Sequence, residues 1–387
     1  MPARYWVTKR GNKLMSYHLT YLEAVVTGLV QGVTELFPIS SLGHNVLLPA
    51  LIGGSWASTL NVSAKGSPYL AFIVGLHVAT AVGMIAYFWR DWLRIVAGFL
   101  SSLRQRSVST PDQRLAWMII LGTIPVGIVG VALQKVFTNV FAKPELAALF
   151  LAVNGLILLL SERMRRARDV PRGAATVAVP AVPPPGPVPG RPLGRPGPEG
   201  YSQQPWQQQQ QGPGPRYGRP EQYGRPPGRH AAGRAPGGPV PPAGGAGTTA
   251  DPAVAADRRL STMSYLQAVV VGSAQILALM PGISRDGMVI VAGMWRGLRR
   301  EDAVRFSFLL SAPAILAAGV LKLPELTGPA AKGIHGPVLV GSLVAGVAAF
   351  LSVRFLTKYF SEDKSLNPFG IYCLVAGLGS LAYLVLK

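Results

Sequence analysis

Gln31-Gly32-Val33-Thr34-Glu35-Leu36-Phe37-Pro38-Ile39-Ser40-Ser41-Leu42-Gly43-His44 closes an apolar stretch that begins at Tyr21. A helix started at Tyr21 meets Pro38 after only about 17 residues, fewer than the roughly 20 that cross a hydrocarbon core. The stretch therefore reads as a broken or re-entrant helix. Laid over residues 265–287 at a constant offset of 244, residues 21–43 give ten identities in 23 positions, among them Tyr21/Tyr265, Gly28/Gly272, Gln31/Gln275, Ser40/Ser284 and Gly43/Gly287. The second copy breaks at Pro281-Gly282-Ile283-Ser284-Arg285-Asp286-Gly287. Short, Pro- or Gly-interrupted apolar segments at matching positions of two halves mark a membrane site at a repeat interface. Irregular backbone at membrane depth survives only where protein encloses it, so the two breaks are expected to face one pocket.

The surrounding chain supplies the membrane spans. Of 387 residues, 49% are hydrophobic and 14% charged, against about 25% charged in an ordinary soluble protein. Mean hydropathy is +0.32. Apolar runs at about 68–89, 115–133 and 146–160 in the first half, and 306–321, 336–353 and 368–386 in the second, read as crossings. A soluble globular domain and a wholly disordered chain are excluded. The single Cys373 leaves no disulfide framework and no thiolate zinc site.

The expected fold is an all-α integral membrane protein, an inverted repeat of six transmembrane helices plus two re-entrant helix pairs at 21–50 and 265–297. Residues 1–165 and 259–387 are the repeats, and 166–258 a disordered linker. The tract 171–250 holds 20 of the 34 prolines, a composition that buries too little apolar surface to fold.

A net charge of +20 would suggest nucleic acid in a soluble protein. Membrane proteins instead collect basic residues in cytoplasmic loops, and no nucleic-acid partner is expected. Arg90, Arg94, Arg104, Arg106 and Arg114, the linker, and residues 354–364 share one side, which that rule makes cytoplasmic. Three crossings per half then invert the repeats and put both termini outside. No small-residue cleavage site follows the basic N-terminus, so no removable signal peptide is expected.

The breaks carry the chemistry. Gln31 and Glu35 stand i,i+4 on one helical face. Ser40, Ser41 and His44 follow where the first amides of the next helix can hold an anion. Arg285 offers a planar fork suited to phosphate oxygens. Carboxylate, hydroxyls, imidazole and guanidinium in one membrane pocket suit cleavage of a phosphate ester or anhydride. An ionisable residue inside an apolar segment is by default functional. His77, mid-span, reads as a hydrogen-bonded interior imidazole rather than a catalyst, and His335 as a solvated loop residue. The competing class is a transporter or flippase for a polyprenyl phosphate or another anion, which shares broken helices but needs no nucleophile.

Residues 31–44 and 281–287 resemble the two signature motifs of the undecaprenyl-diphosphatase family, the bacitracin-resistance phosphatases that recycle a lipid carrier. Gly122-Thr123-Ile124-Pro125 and Arg305-Phe306-Ser307-Phe308-Leu309-Leu310 are similar to further stretches of that family. The likeness covers about 21–166 and 261–386. It implies hydrolysis of undecaprenyl diphosphate to undecaprenyl phosphate plus phosphate, in the bacterial plasma membrane, serving peptidoglycan synthesis. Membrane lipids and that substrate are the implied partners. By the resemblance Glu35, Ser41, His44 and Arg285 are catalytic. Ser40, Gly282, Ser284 and Arg285 bind the substrate phosphates, and a divalent cation, Mg²⁺ or Ca²⁺, sits on Glu35 and Gln31, with the Asp286 carboxylate, outside the family pattern, as a further candidate ligand. Ser41, Ser40, His44 and a metal-activated water stay open as the attacking group. Two residues depart from the family pattern: Gln31 replaces one acid, and Asp286 stands where a serine is usual. The insertion at 171–250 is no part of that pattern. Its deletion is expected to leave phosphate release in detergent largely intact, measured against the full chain at equal protein concentration.

Overall fold

Each copy of the repeated segment opens with the same helix start. Thr20 caps α1 (Tyr21–Thr34) and Ser264 caps α9 (Tyr265–Ser273), each through a capping box, with Glu23 and Gln267 as the reciprocal partners. Reciprocal caps satisfy amides that a helix terminus otherwise leaves bare. The computed structural model describes residues 19–61, 68–140, 143–169, 252–322 and 334–387. The proline-rich tract 171–250 and the basic N-terminus lie outside them.

Among the described residues the regular elements are all helical. α2 (Ser41–Ile52) and α3 (Gly54–Thr59) follow α1, then α4 (Pro68–Tyr87), α5 (Trp89–Gln105), α6 (Pro111–Val140) and α7 (Pro144–Asp169). The second half holds α8 (Pro252–Leu260), α9, a 3₁₀ turn (Ala274–Leu279), α10 (Arg285–Trp295), α11 (Arg300–Leu321), α12 (His335–Ser361) and α13 (Asn367–Leu386). Proline opens α4, α6, α7 and α8, where its missing N–H costs nothing and its fixed φ suits the first turn.

Among the described residues five helices are long and apolar enough to cross a membrane: Pro111–Leu133, Pro144–Arg166, Arg300–Leu321, His335–Ser361 and Asn367–Leu386. The count reaches seven if each bent pair is one span. Leu22, Leu266, Leu339, Leu343, Val375 and Val385 point outward and are exposed, an apolar surface that lipid rather than water covers. The chain is a multi-pass membrane protein.

Three expectations need correction. The run at 68–89 does not stand alone, because Phe72–Tyr87 bends by 89° into Trp89–Gln105. The stretch 90–114 is thus not a plain loop. α5 buries Ile95, Gly98 and Ser102 and exposes Leu93, Val96, Leu100 and Leu103, an amphipathic pattern that window hydropathy misses. The linker also gives way at both ends: α7 continues to Asp169, and 252–258 belong to α8.

Ion pairs explain the folded end of the linker. Asp257, 1% exposed, accepts from Arg94 at 2.6 Å and from Arg305 at 2.7 and 2.9 Å. Arg94 also reaches Asp91 and Asp112. Nearby, Arg300 Nη2 donates to both Glu162 oxygens at 2.8 and 2.9 Å, and its Nη1 donates to Asp363 Oδ1 at 2.9 Å. These charges gather where α4, α7 and α12 end and where α6, α11 and α13 begin.

Close helix approach uses small residues. A Cβ on Gly28 of α1 would stand 3.0 Å from the Gly341 carbonyl carbon of α12, and one on Gly272 of α9 2.7 Å from that of Gly122 in α6. Each copy's first helix therefore packs on the opposite half.

Removing one partner of a buried ion pair strands the other charge. Asp257→Ala is expected to lower stability by about 3 kcal/mol, read as an earlier thermal unfolding transition in detergent.

Candidate functional site

α1 runs one residue past its last regular turn, with the Glu35 amide still bonding the Gln31 carbonyl at 2.9 Å. That continuity holds Gln31 and Glu35 on one face, as their spacing predicts. The chain then breaks, and Ser40 takes a φ of 70° at the head of α2. A non-glycine residue held at positive φ costs on the order of 1–3 kcal/mol and persists where its surroundings fix it. Here they do: Ser40 Oγ accepts from the Gly43 amide at 3.2 Å and from the Gly282 amide at 3.1 Å. One hydroxyl thus ties the first break to the second.

The approach is close enough to demand glycine on both sides. A Cβ on Gly43 would lie 2.8 Å from the Gly282 Cα, and Gly282, at φ 107°, has no room against α7. Asn154 of α7, 0% exposed, completes the junction. Its Nδ2 donates to the Pro38 carbonyl at 3.0 Å, and its Oδ1 accepts from the Ser284 amide at 2.9 Å.

Glu35 is the centre of the polar cluster. Its Oε2 accepts from Gln31 Nε2 at 2.7 Å and from Ser41 Oγ at 2.5 Å, and its Oε1 pairs with Arg285. Asn45 donates to Gln31 Oε1 at 2.5 Å and Tyr69 donates to the Asn45 carbonyl at 3.0 Å, so a buried polar chain holds Gln31 from behind. Arg285 Nε is buried and carries no partner among the described residues. Glu35, Ser40, Ser41, His77, Gln275 and Arg285 all line one cavity of about 320 Å³, of the size that takes a small ligand or headgroup. Val126, Gly127, Val131, Leu279, Ala314 and Ala317 form an apolar extension of it.

Not every expected residue joins this group. His44 does not line the cavity: its Nδ1 lies 2.7 Å from the Ser40 carbonyl and its Nε2 2.8 Å from Tyr372 Oη, with the two rings stacked. Ser284, 1% exposed, caps α10 by accepting from the Gly287 amide at 3.1 Å. The Gly282 amide is engaged by Ser40. Two residues named for a cation also face elsewhere. Gln31 Oε1 is held by Asn45, and Asp286 is buried outside the cavity on the hydroxyls of Ser307 and Ser311. Among the described residues no three His, Cys, Asp or Glu side chains gather as a metal site. Glu35, Gln31 and Asp286 therefore do not come together as the donor set expected for Mg²⁺ or Ca²⁺.

The sequence reading missed Asn154, Gln275 and the position of His77. Asn154 had one signal, a lone amide inside an apolar run. Gln275 had another, its match to Gln31. Its Oε1 is buried without a partner on the cavity wall.

The chain matches the family described as Bacitracin resistance protein BacA over residues 24–179 and 246–379. It is 48% identical over 373 residues to a protein of Mycolicibacterium paratuberculosis (strain ATCC BAA-968 / K-10) named undecaprenyl-diphosphatase, covering 96% of this chain and 100% of that one. A Frankia alni (strain DSM 45986 / CECT 9034 / ACN14a) protein named undecaprenyl-diphosphatase 2 is also 48% identical, over 93% of this chain and 97% of its own. An undecaprenyl-diphosphatase of Granulibacter bethesdensis (strain ATCC BAA-1260 / CGDNIH1) is 32% identical over 94% of this chain and 96% of its own.

Asn154→Leu leaves a buried carbonyl and a buried amide unpaired, each worth about 1–3 kcal/mol. It is expected to lower the thermal transition in detergent and to abolish whatever activity needs the two breaks joined.

Proposed function

Because the chain belongs to the bacitracin resistance protein BacA family and so dephosphorylates undecaprenyl diphosphate, we propose that the cavity at Glu35 and Arg285 holds and cleaves that diphosphate headgroup. The observation that carries this reading is the Glu35 carboxylate, bonded by Ser41 Oγ on one oxygen and paired with Arg285 on the other. Nucleophile, base and anion clamp then meet at one cavity.

Phosphoryl transfer is mostly positioning and charge compensation. The entering phosphates draw Arg285 away from Glu35, and the unpartnered Nε adds a donor. Ser41 Oγ attacks the terminal phosphorus while Glu35 Oε2 takes its proton. The anhydride P–O bond breaks, and undecaprenyl phosphate leaves with the bridging oxygen. Glu35 passes that proton to the departing undecaprenyl phosphate. The restored carboxylate then deprotonates a water that attacks the phosphoserine, the Ser41 Oγ–P bond breaks to free inorganic phosphate, and Glu35 returns the water's proton to Ser41 Oγ. Ser40, held by two amides, keeps the break in shape rather than attacking. The prenyl tail follows the apolar extension of the cavity out to lipid.

The same reading takes the two halves as inverted repeats. α4, α7 and α12 end at the charged cluster where α6, α11 and α13 begin, so corresponding helices α4 and α11 run oppositely. The crossed glycine packing of α1 and α9 also supports it. The positive-inside rule assigns that arginine-rich end, with the linker, to the cytoplasm.

Purified protein in detergent is expected to release phosphate from a long-chain polyprenyl diphosphate. Glu35→Ala and Arg285→Ala are expected to lose roughly 10³-fold or more in kcat/KM, as when a positioned base or an anion-stabilising charge is removed. Wild-type rates in either variant refute the assignment.

A further inference from the structure

His77 lies in the middle of α4 with its side chain 25% exposed and on the wall of the cavity. Its Nδ1 is 2.9 Å from the Ile73 carbonyl oxygen, a group that only accepts, so Nδ1 carries a proton. The ring is thereby fixed on its own helix. Its Nε2 is turned to Glu35 Oε2 at 3.4 Å, the same oxygen that receives Ser41 Oγ. His44, the other histidine near the break, has both ring nitrogens engaged by Ser40 and Tyr372 and lines no part of the cavity.

We propose that His77, rather than His44, is the imidazole that serves this site, as the positioning residue for Glu35. The inference rests on the reading of Ser41, Glu35 and Arg285 given above. Glu35 has to keep Oε2 on the Ser41 hydroxyl after the phosphates have drawn Arg285 from Oε1. Gln31 holds that oxygen from within α1. His77 reaches it from α4, a third helix beside α1 and the Ser41 end of α2, and from the cavity wall. Because Nδ1–H is anchored on Ile73, Nε2 is the ring atom that faces the carboxylate, and in the imidazolium form it donates to Oε2, so that a Glu35 held from more than one helix does not swing out with the substrate. The role needs a polar contact at that point rather than an imidazole as such. An amide side chain of similar reach should therefore supply it.

The full chain in detergent, assayed by steady-state phosphate release from a long-chain polyprenyl diphosphate, separates the cases. His77→Leu is expected to lower kcat roughly ten- to hundredfold, the range lost with one hydrogen bond to a charged group, with KM little changed. His77→Gln is expected to restore most of kcat. His77→Asn, polar but one methylene shorter than Gln, is expected to fall with the Leu variant, which separates lost reach from damage by an apolar side chain. His44→Gln is expected to keep more kcat than His77→Leu. Wild-type kcat in His77→Leu or His77→Asn overturns the proposal, as do a His77→Gln variant no better than His77→Leu, a change confined to KM, or a larger loss at His44 than at His77. Arg285→Ala is the control: if that variant stays active, the reading of the site itself fails, whatever His77 does.

Discussion

A carboxylate and a guanidinium face each other in an interior that water scarcely reaches, and each comes from a different half of the chain. An ionised group buried alone costs many kcal/mol, and one deprived of its partner strands the other. Glu35 and Arg285 are therefore satisfied only when the two breaks meet. Docking of the halves and assembly of the site are one event. The polar chain from Tyr69 through Asn45 and Gln31 to Glu35 extends the constraint, since each link leaves a buried group bare if the next is displaced.

The duplication makes that pairing possible without making the copies alike. At the offset of 244, Ser41 corresponds to Arg285 and Glu35 to Leu279. One copy supplies hydroxyl and carboxylate, the other the counter-charge. What the copies keep in common is the frame: a capped helix, a break, a serine that caps the next helix by accepting from a glycine three residues on. Ser40 and Ser284 share that local task, but only Ser40 also takes the amide of the opposite break. A single conserved geometry thus carries different chemistry on its two sides.

Much of this was legible before any coordinates. The helices announced themselves by length and apolarity, the breaks by Pro38 and Pro281, and the pocket by ionisable residues where a span should have none. α5 and α8 escaped because their amphipathic faces and ion pairs average to nothing in a hydropathy window. The cation set of Glu35, Gln31 and Asp286 rested on resemblance and on residue type in the two motifs, and packing puts Asp286 on Ser307 and Ser311 instead. Spacing put His44 three residues from Ser41, yet a helical turn aims neighbours in different directions, and its ring went to Tyr372.

Taken alone, the order of residues determined a membrane-embedded helical chain, two broken segments, and the side-chain types a diphosphate demands, because these follow from local periodicity, proline geometry and the cost of charge in hydrocarbon. Which of those side chains share the cavity was decided only by tertiary packing. His77 is 42 residues from Glu35 and Asn154 is 130 from Ser284, and no local rule orients side chains so far apart. They meet because Gly43 and Gly282 let two backbones touch, and because the Ser40 hydroxyl, the Pro38 carbonyl and the Ser284 amide at that contact find their partners away from water.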